Sequence, residues 1–228
     1  PLRILVYHEI VNDTLNDIPI AVTYCPLCYS VVVFDRRVGK KTVEFGVSGL
    51  LYNSNVLMYD RGGRPESLWS QMAGQGVSGP GARRDLKTLP VELTTWREWQ
   101  TRYPNSSVLS NRTGHQKDYQ TNPYRSYFSG RNLMFPVRPV SRRLSGKTLV
   151  LGVWSGEEAR AYPLSTFAPN GEMLEQELDG KSFQLVYDDG ERTLRISSAD
   201  EGLQWVYSFW FAWYAFRPHT EIFSGPSQ

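Results

Sequence analysis

Ile18-Pro19-Ile20-Ala21-Val22-Thr23-Tyr24-Cys25-Pro26-Leu27-Cys28-Tyr29-Ser30-Val31-Val32-Val33-Phe34 is the stretch that decides how this chain is read. Two apolar, β-branched runs, Ile18 to Val22 and Val31 to Phe34, flank a short corner that holds the only two cysteines of the 228 residues. Strand-forming residues on both sides place the Cys-x-x-Cys in a sheet corner rather than at a helix N-terminus. Such a corner chelates a soft metal through two thiolates, cycles between dithiol and disulfide, or sits as an inert local disulfide. The missing helix start weakens the thioredoxin-type reading, because that chemistry uses a helix N-terminus to depress a thiol pKa.

Upstream, Pro1 to His8 predicts a short helix, with proline at a first helical position and Leu2, Leu5 and Val6 on one face. Glu9 to Asp13 and Ile18 to Tyr24 predict two strands around Asn16-Asp17, a two-residue turn. With that turn at the centre, the antiparallel register carries His8 opposite Cys25. A slip of one residue still leaves it beside Tyr24, near the thiols.

Downstream, Ser30 to Asp35 and Lys41 to Val47 predict a hairpin across Arg36 to Lys40, with Gly39 in the turn. Asn55 to Asp60 and Ser67 to Gln71 read as strands around an Arg61-Gly62-Gly63 turn, and Gly74 to Gly81 as loop. Thr94 to Tyr103 predicts a helix capped by Thr94 or Thr95, with Trp96, Trp99 and Tyr103 on one face, stopped by Pro104. Ser110 to Phe135 is polar and tyrosine-rich, a surface loop or a lid.

From Thr148 the plan restarts. Leu149 to Val153 and Ala159 to Tyr162 straddle Gly156. Leu174 to Leu178 and Ser182 to Tyr187 straddle Asp179-Gly180, and Trp210 to Pro218 repeats the tryptophan spacing of Trp96 to Pro104. The expected fold is α+β and β-rich, two diverged internal copies of hairpins plus short helices packed as one unit. The first copy would span 1–110, a connecting loop 111–147, and the second, shorter copy 148–228. Asp188-Asp189-Gly190 stands where the first copy has its cysteines, so the corner does not need them for folding.

Composition narrows the classes. Hydrophobic content of 40% with 21% charge suits a globular protein. A net charge of +2, with basic pairs scattered as Arg36-Arg37, Lys40-Lys41, Arg83-Arg84 and Arg142-Arg143 at turn flanks, disfavours nucleic acid. No apolar run is long enough to span a membrane. The chain starts at Pro1 without an initiator Met, so missing targeting signals carry no information.

The strings His8 to Asp13, Thr23 to Cys28, Gly46 to Asn55, Met58 to Arg61 and Glu66 to Gln71 resemble the domain-of-unknown-function family 3179 of bacteria and archaea. The resemblance extends through Ala161-Tyr162-Pro163-Leu164 to Phe209-Trp210-Phe211-Ala212-Trp213. It implies an extracytoplasmic setting, because members often carry an N-terminal signal or anchor, and it implies no activity. Arg217-Pro218 departs from the His-Pro of relatives, which leaves His219 without a role.

For chemistry, His8, Cys25 and Cys28 form a Cys2His donor set that suits copper ahead of zinc, with an open position for catalysis or metal transfer. A thiol-dependent enzyme or redox protein would use the same residues, with His8 as base and Glu9 or Asn12 as orienting group. A structural module would use the cysteines only as a brace. Tyr24, Tyr52, Asn53, Trp69 and Gln71 are candidate pocket residues, although turns and a half-buried strand account for the same pattern. Met58 and Met72 could add soft sulfur but suit an apolar core equally. His115 reads as surface loop, and the helix tryptophans as glue between the copies. Gly74, Gly76 and Gly79 carry the letters of a dinucleotide fingerprint, but Pro80-Gly81 follows and no helix opens there. A small-molecule or protein partner is left open.

Overall fold

A computed structural model describes residues 1–167 and 173–225. The first half runs α1 (Leu2–His8), β1 (Ile10–Leu15), β2 (Ile18–Cys25), β3 (Ser30–Asp35), β4 (Arg37–Val38), β5 (Lys41–Thr42), β6 (Glu44–Tyr52), β7 (Asn55–Arg61), β8 (Leu68–Ser70), β9 (Gln75–Ser78) and β10 (Thr88–Leu89). Helices α2 (Trp96–Arg102) and α3 (Arg125–Ser129) follow. The second half runs β11 (Leu149–Ser155), β12 (Glu158–Pro163), β13 (Met173–Leu178), β14 (Lys181–Asp188), β15 (Thr193–Ala199), β16 (Gln204–Phe209), α4 (Trp210–Phe216) and β17 (Glu221–Ile222). The protein is therefore α+β and β-rich.

The central sheet has the order β1-β2-β3-β16-β11-β12-β17, with β10 also on β3, so both halves of the chain build it. Strand β3 lies between β2 and β16 and is buried almost throughout, which is why its sequence is a continuous apolar run. A four-stranded sheet β6-β7-β8-β9, a three-stranded meander β13-β14-β15 and the small β4-β5 hairpin complete the described sheets. The largest core cluster joins Phe34, Phe45, Met58 and Trp69 to Val150, Val206, Trp210 and Trp213. Each buried tryptophan contributes roughly 3 kcal/mol or more of stabilisation, so α4 locks the halves together.

The predicted β1–β2 register is present: Ile10 pairs with Thr23 and Leu15 with Ile18, and Asn16 and Asp17 both have positive φ, as a two-residue turn of this hand requires. The hairpin expected between Ser30–Asp35 and Lys41–Val47 is absent. Strand β3 pairs with β2, β10 and β16, while β6 pairs with β7. Arg36 explains the break: its guanidinium donates to the carbonyls of Ile20, Val43 and Asp13, pinning the chain where it leaves β3. Gly74 to Gly81 contains β9 rather than loop alone, and no helix follows it. Helix α2 is capped by Thr95, whose side chain accepts from Glu98 N, but it buries no residue, whereas α4 buries Trp210 and Trp213. The aromatic glue is thus supplied by one helix of the two. Among the described residues no helix is long and apolar enough to cross a membrane.

Candidate functional site

The corner Pro26 to Tyr29 turns β2 into β3, with Cys25 opposite Ser30 and a turn bond from Cys28 N to Cys25 O of 3.2 Å. Three distant segments hold it. Phe209 N donates to the Cys28 carbonyl at 2.7 Å, and the phenol of Tyr127 donates to the Leu27 carbonyl at 2.9 Å. The Ser54 carbonyl accepts from the Cys28 thiol at 3.1 Å, and Val56 N–H points at the Cys25 sulfur. Both cysteines are free thiols and fully buried, among Leu27, Val56, Val137, Phe209 and Phe211.

The two thiols differ sharply. Burial alone would raise both, because a low-dielectric surrounding disfavours thiolate. At Cys25 that is outweighed by the Cys28 thiol and by the backbone N–H groups of Cys28 and Val56, so its pKa lies below the ordinary thiol value. At Cys28 burial is reinforced by the neighbouring Cys25 sulfur, and together they push it well above that value.

Behind the corner lies a buried polar network. Ser30 Oγ donates to Gln71 Oε1 at 2.6 Å, Asn55 Nδ2 donates to the same oxygen at 2.8 Å, and Gln71 Nε2 donates to Thr23 Oγ1 at 2.9 Å. Asn55 Oδ1 accepts from Met72 N, and its amide also faces the Cys28 sulfur. The network bolts the central sheet to the four-stranded one at the cysteines.

In front lies the connecting segment. Tyr29 meets Phe128 and Phe209 at ring separations of 5.6 and 5.3 Å. Lys147 ties down the end of α3 through the carbonyls of Tyr127 and Gly130, its ammonium 3.5 Å from the Tyr127 ring centroid. Asn53 clamps Arg138 by donating to its carbonyl at 2.5 Å and accepting from its N–H at 2.8 Å. Part of the stretch expected to be a surface loop or a lid covers the corner, through Tyr124, Phe128 and Leu133, while most of the rest is exposed. A cavity of about 170 Å³ is lined in part by Tyr24, Tyr29 and Phe128, with neither cysteine in its wall.

His8 does not reach the sulfurs. The register runs one step beyond Ile10, since Tyr24 N donates to the Glu9 carbonyl at 2.7 Å, and then ends because Glu9 turns with φ 58° into the last turn of α1. His8 is therefore helical, and its Nε2 lies 2.6 Å from the Tyr119 hydroxyl, with the His115 ring 5.1 Å away. Burial, followed by the charges of His115 and Lys117, holds His8 below its ordinary pKa. Among the described residues, no three of His, Cys, Asp or Glu come together to hold a metal ion. Glu9, half-buried and raised by burial, is the acidic group whose charge Cys25 feels.

The candidate pocket residues fall in different places. Tyr24 borders the small cavity, and Gln71 is tied into the network while bordering a second cavity of about 290 Å³. Trp69 borders a third cavity, of about 450 Å³. Tyr52 is half exposed, edge-on to Phe216, and Asn53 is the lid clamp. Asn12 staples β1 to β6 through both backbone groups of Phe45, so it is no orienting group for a thiol. Met58 and Met72 are core, and His219 is exposed. Sequence reading missed Tyr127, which a tyrosine-rich loop signals only as a class, and the Val56 N–H, which no side-chain pattern reveals.

Fold and site together define a β-rich α+β protein with a lidded dithiol at the corner of its central sheet. The chain belongs to the family described as "Protein of unknown function (DUF3179)", matched over residues 1–207. The match ends before α4, short of the closing aromatic stretch. No curated protein and no solved structure matches the chain.

Proposed function

We propose that Cys25 and Cys28 act as a thiol–disulfide redox pair. The observation that carries this is geometric: two free thiols, three residues apart, sit unbridged at one sheet corner, sealed by groups from distant parts of the chain. The Cys25 thiolate attacks one sulfur of a substrate disulfide, forming a mixed disulfide and releasing one substrate thiolate. Cys28 then loses its proton and attacks the Cys25 sulfur, expelling the second. The substrate disulfide gains two electrons and two protons, and Cys25–Cys28 becomes a disulfide. His8 takes no part. The lid must open, since both sulfurs are fully buried.

A second reading is soft-metal binding. Two sulfurs side by side in an apolar shell suit two-coordinate Cu(I). Zinc wants four ligands, and the described residues supply two at this place. The extracytoplasmic setting implied by the resemblance is part of this proposal. So is an origin by duplication, supported by the matching meanders β1-β2-β3 and β13-β14-β15, each behind a helical turn.

Metal analysis of protein purified without chelator, followed by redox titration in glutathione buffers, separates the readings. A metal-free dithiol that reversibly loses two thiols, and loses that behaviour in Cys25→Ser, supports the first. Stoichiometric copper, lost in either single serine variant, supports the second. Thiols inert to both, with the lid opened by Tyr127→Ala, would leave only a structural role.

A further inference from the structure

We propose that the cavity between the β4–β5 turn, the loop after β7 and the loop before Leu86 binds a small organic compound through a phosphate or diphosphate group. Five cations border it: Lys40, Lys41, Arg61, Arg64 and Arg84. They come from three loops, and none makes a salt bridge among the described residues. Asp60 is the one carboxylate of the wall, and it is already engaged by the Ser67 N–H. Cations of one sign around a concave surface focus the field inside it and favour a dianion.

A second observation lies in the same wall. Trp69 is fully buried, and its indole N–H has no hydrogen-bond partner among the described residues. A buried donor left unmatched costs about 1–3 kcal/mol, but this one is closed off from the cavity as well as from solvent, so Trp69 forms part of the wall and is no ligand contact. The ring is fixed closely: a Cβ on Gly81 would lie 2.4 Å from Trp69 Cζ2, so only glycine lets the loop backbone approach. Arg84 reaches back across the opening, its Nη1 3.8 Å from where a Cβ on Gly39 would stand. Val38, Val43 and Pro65 give the cavity an apolar side.

These features select the ligand class. Guanidinium forks bind phosphate oxygens in pairs, and lysine ammonium groups add point charge. A volume of about 450 Å³ exceeds what a lone phosphate fills and sits within the usual range of small-molecule sites. The phosphate is therefore part of a larger molecule, either a free phosphorylated compound or a lipid headgroup. The site is separate from the cysteine corner, and its test does not depend on thiol chemistry.

Calorimetric titration of the full chain with pyrophosphate, alongside co-sedimentation with phosphatidylglycerol vesicles, tests the assignment. Saturable pyrophosphate binding is expected, weakened at least about tenfold by Arg64→Gln with Arg84→Gln. Arg112→Gln, in the exposed connecting segment, should change nothing. Vesicle binding that pyrophosphate displaces assigns the headgroup source, and its absence assigns a free compound. Binding to neither probe, equal loss in Arg112→Gln, or full binding in a folded Arg64/Arg84 double variant overturns the site. If that double variant melts early, Lys40→Gln with Lys41→Gln, both exposed, gives the same reading.

Discussion

The hydroxyl of Tyr127 hydrogen-bonds the carbonyl of Leu27 at 2.9 Å, latching α3 onto the cysteine corner from a hundred residues away. Burial pushes the Tyr127 phenol up to about 12, so it remains a neutral donor throughout the physiological range. Tyr127→Phe should cost about 1 kcal/mol and leave the Leu27 carbonyl unmatched. The expected readout is faster reaction of both thiols with a small disulfide reagent at unchanged secondary structure. An unchanged rate would mean that the lid is held elsewhere.

The inequality of the thiols is measurable by thiolate absorbance across a pH titration. One thiol should ionise below the ordinary range and the other well above it. Cys28→Ser keeps a hydroxyl donor to Cys25 and should preserve the low titration, whereas Cys28→Ala should raise it. If Cys25→Ser leaves the low titration in place, the assignment of the two sulfurs is reversed.

Gln71 satisfies Ser30, Asn55 and Thr23 at once. Gln71→Leu strands these buried groups and should cost about 2–4 kcal/mol, seen as a lower denaturant midpoint with an unchanged slope.

His8 sets a pH dependence. Its folded pKa is depressed, so between that value and about 6.5 the unfolded chain binds more protons. Stability should therefore fall as pH drops through the unfolded value and recover above it. His8→Gln should flatten that part of the melting-temperature profile, and a parallel profile in the variant would sink the assignment.

Gly152 on β11 lets the Trp213 ring lie against the strand, since a Cβ there would meet the ring at 2.3 Å. Gly152→Ala should destabilise by about 1–3 kcal/mol through overpacking, measured by thermal unfolding.

Local patterns carried much of the fold. Alternation and the Asn16-Asp17 turn gave β1, β2 and their register, and Thr95 with Pro104 bounded α2. What failed was long-range. Nothing near Ser30 says that β3 pairs with β16, because that contact joins residues Val31 and Tyr207. The placement of His8 turned on a single positive φ at Glu9, a residue with no glycine-like signature. The cationic cavity was hidden for the same reason, as pairs that look scattered along the chain converge when three loops meet. The thiol corner was visible from its letters, but its inequality rests on the backbone N–H of Val56, which sequence does not encode as a motif.

The lid and the Phe209 bond give the corner a history as well as a shape. The hairpin bearing the sulfurs is made before the groups that seal it, which lie a hundred residues and more further along, from Tyr127 to Phe211. Until those groups dock, the sulfurs stand open to oxidant or ion. In the finished molecule the same sulfurs are reached only when those later groups draw back.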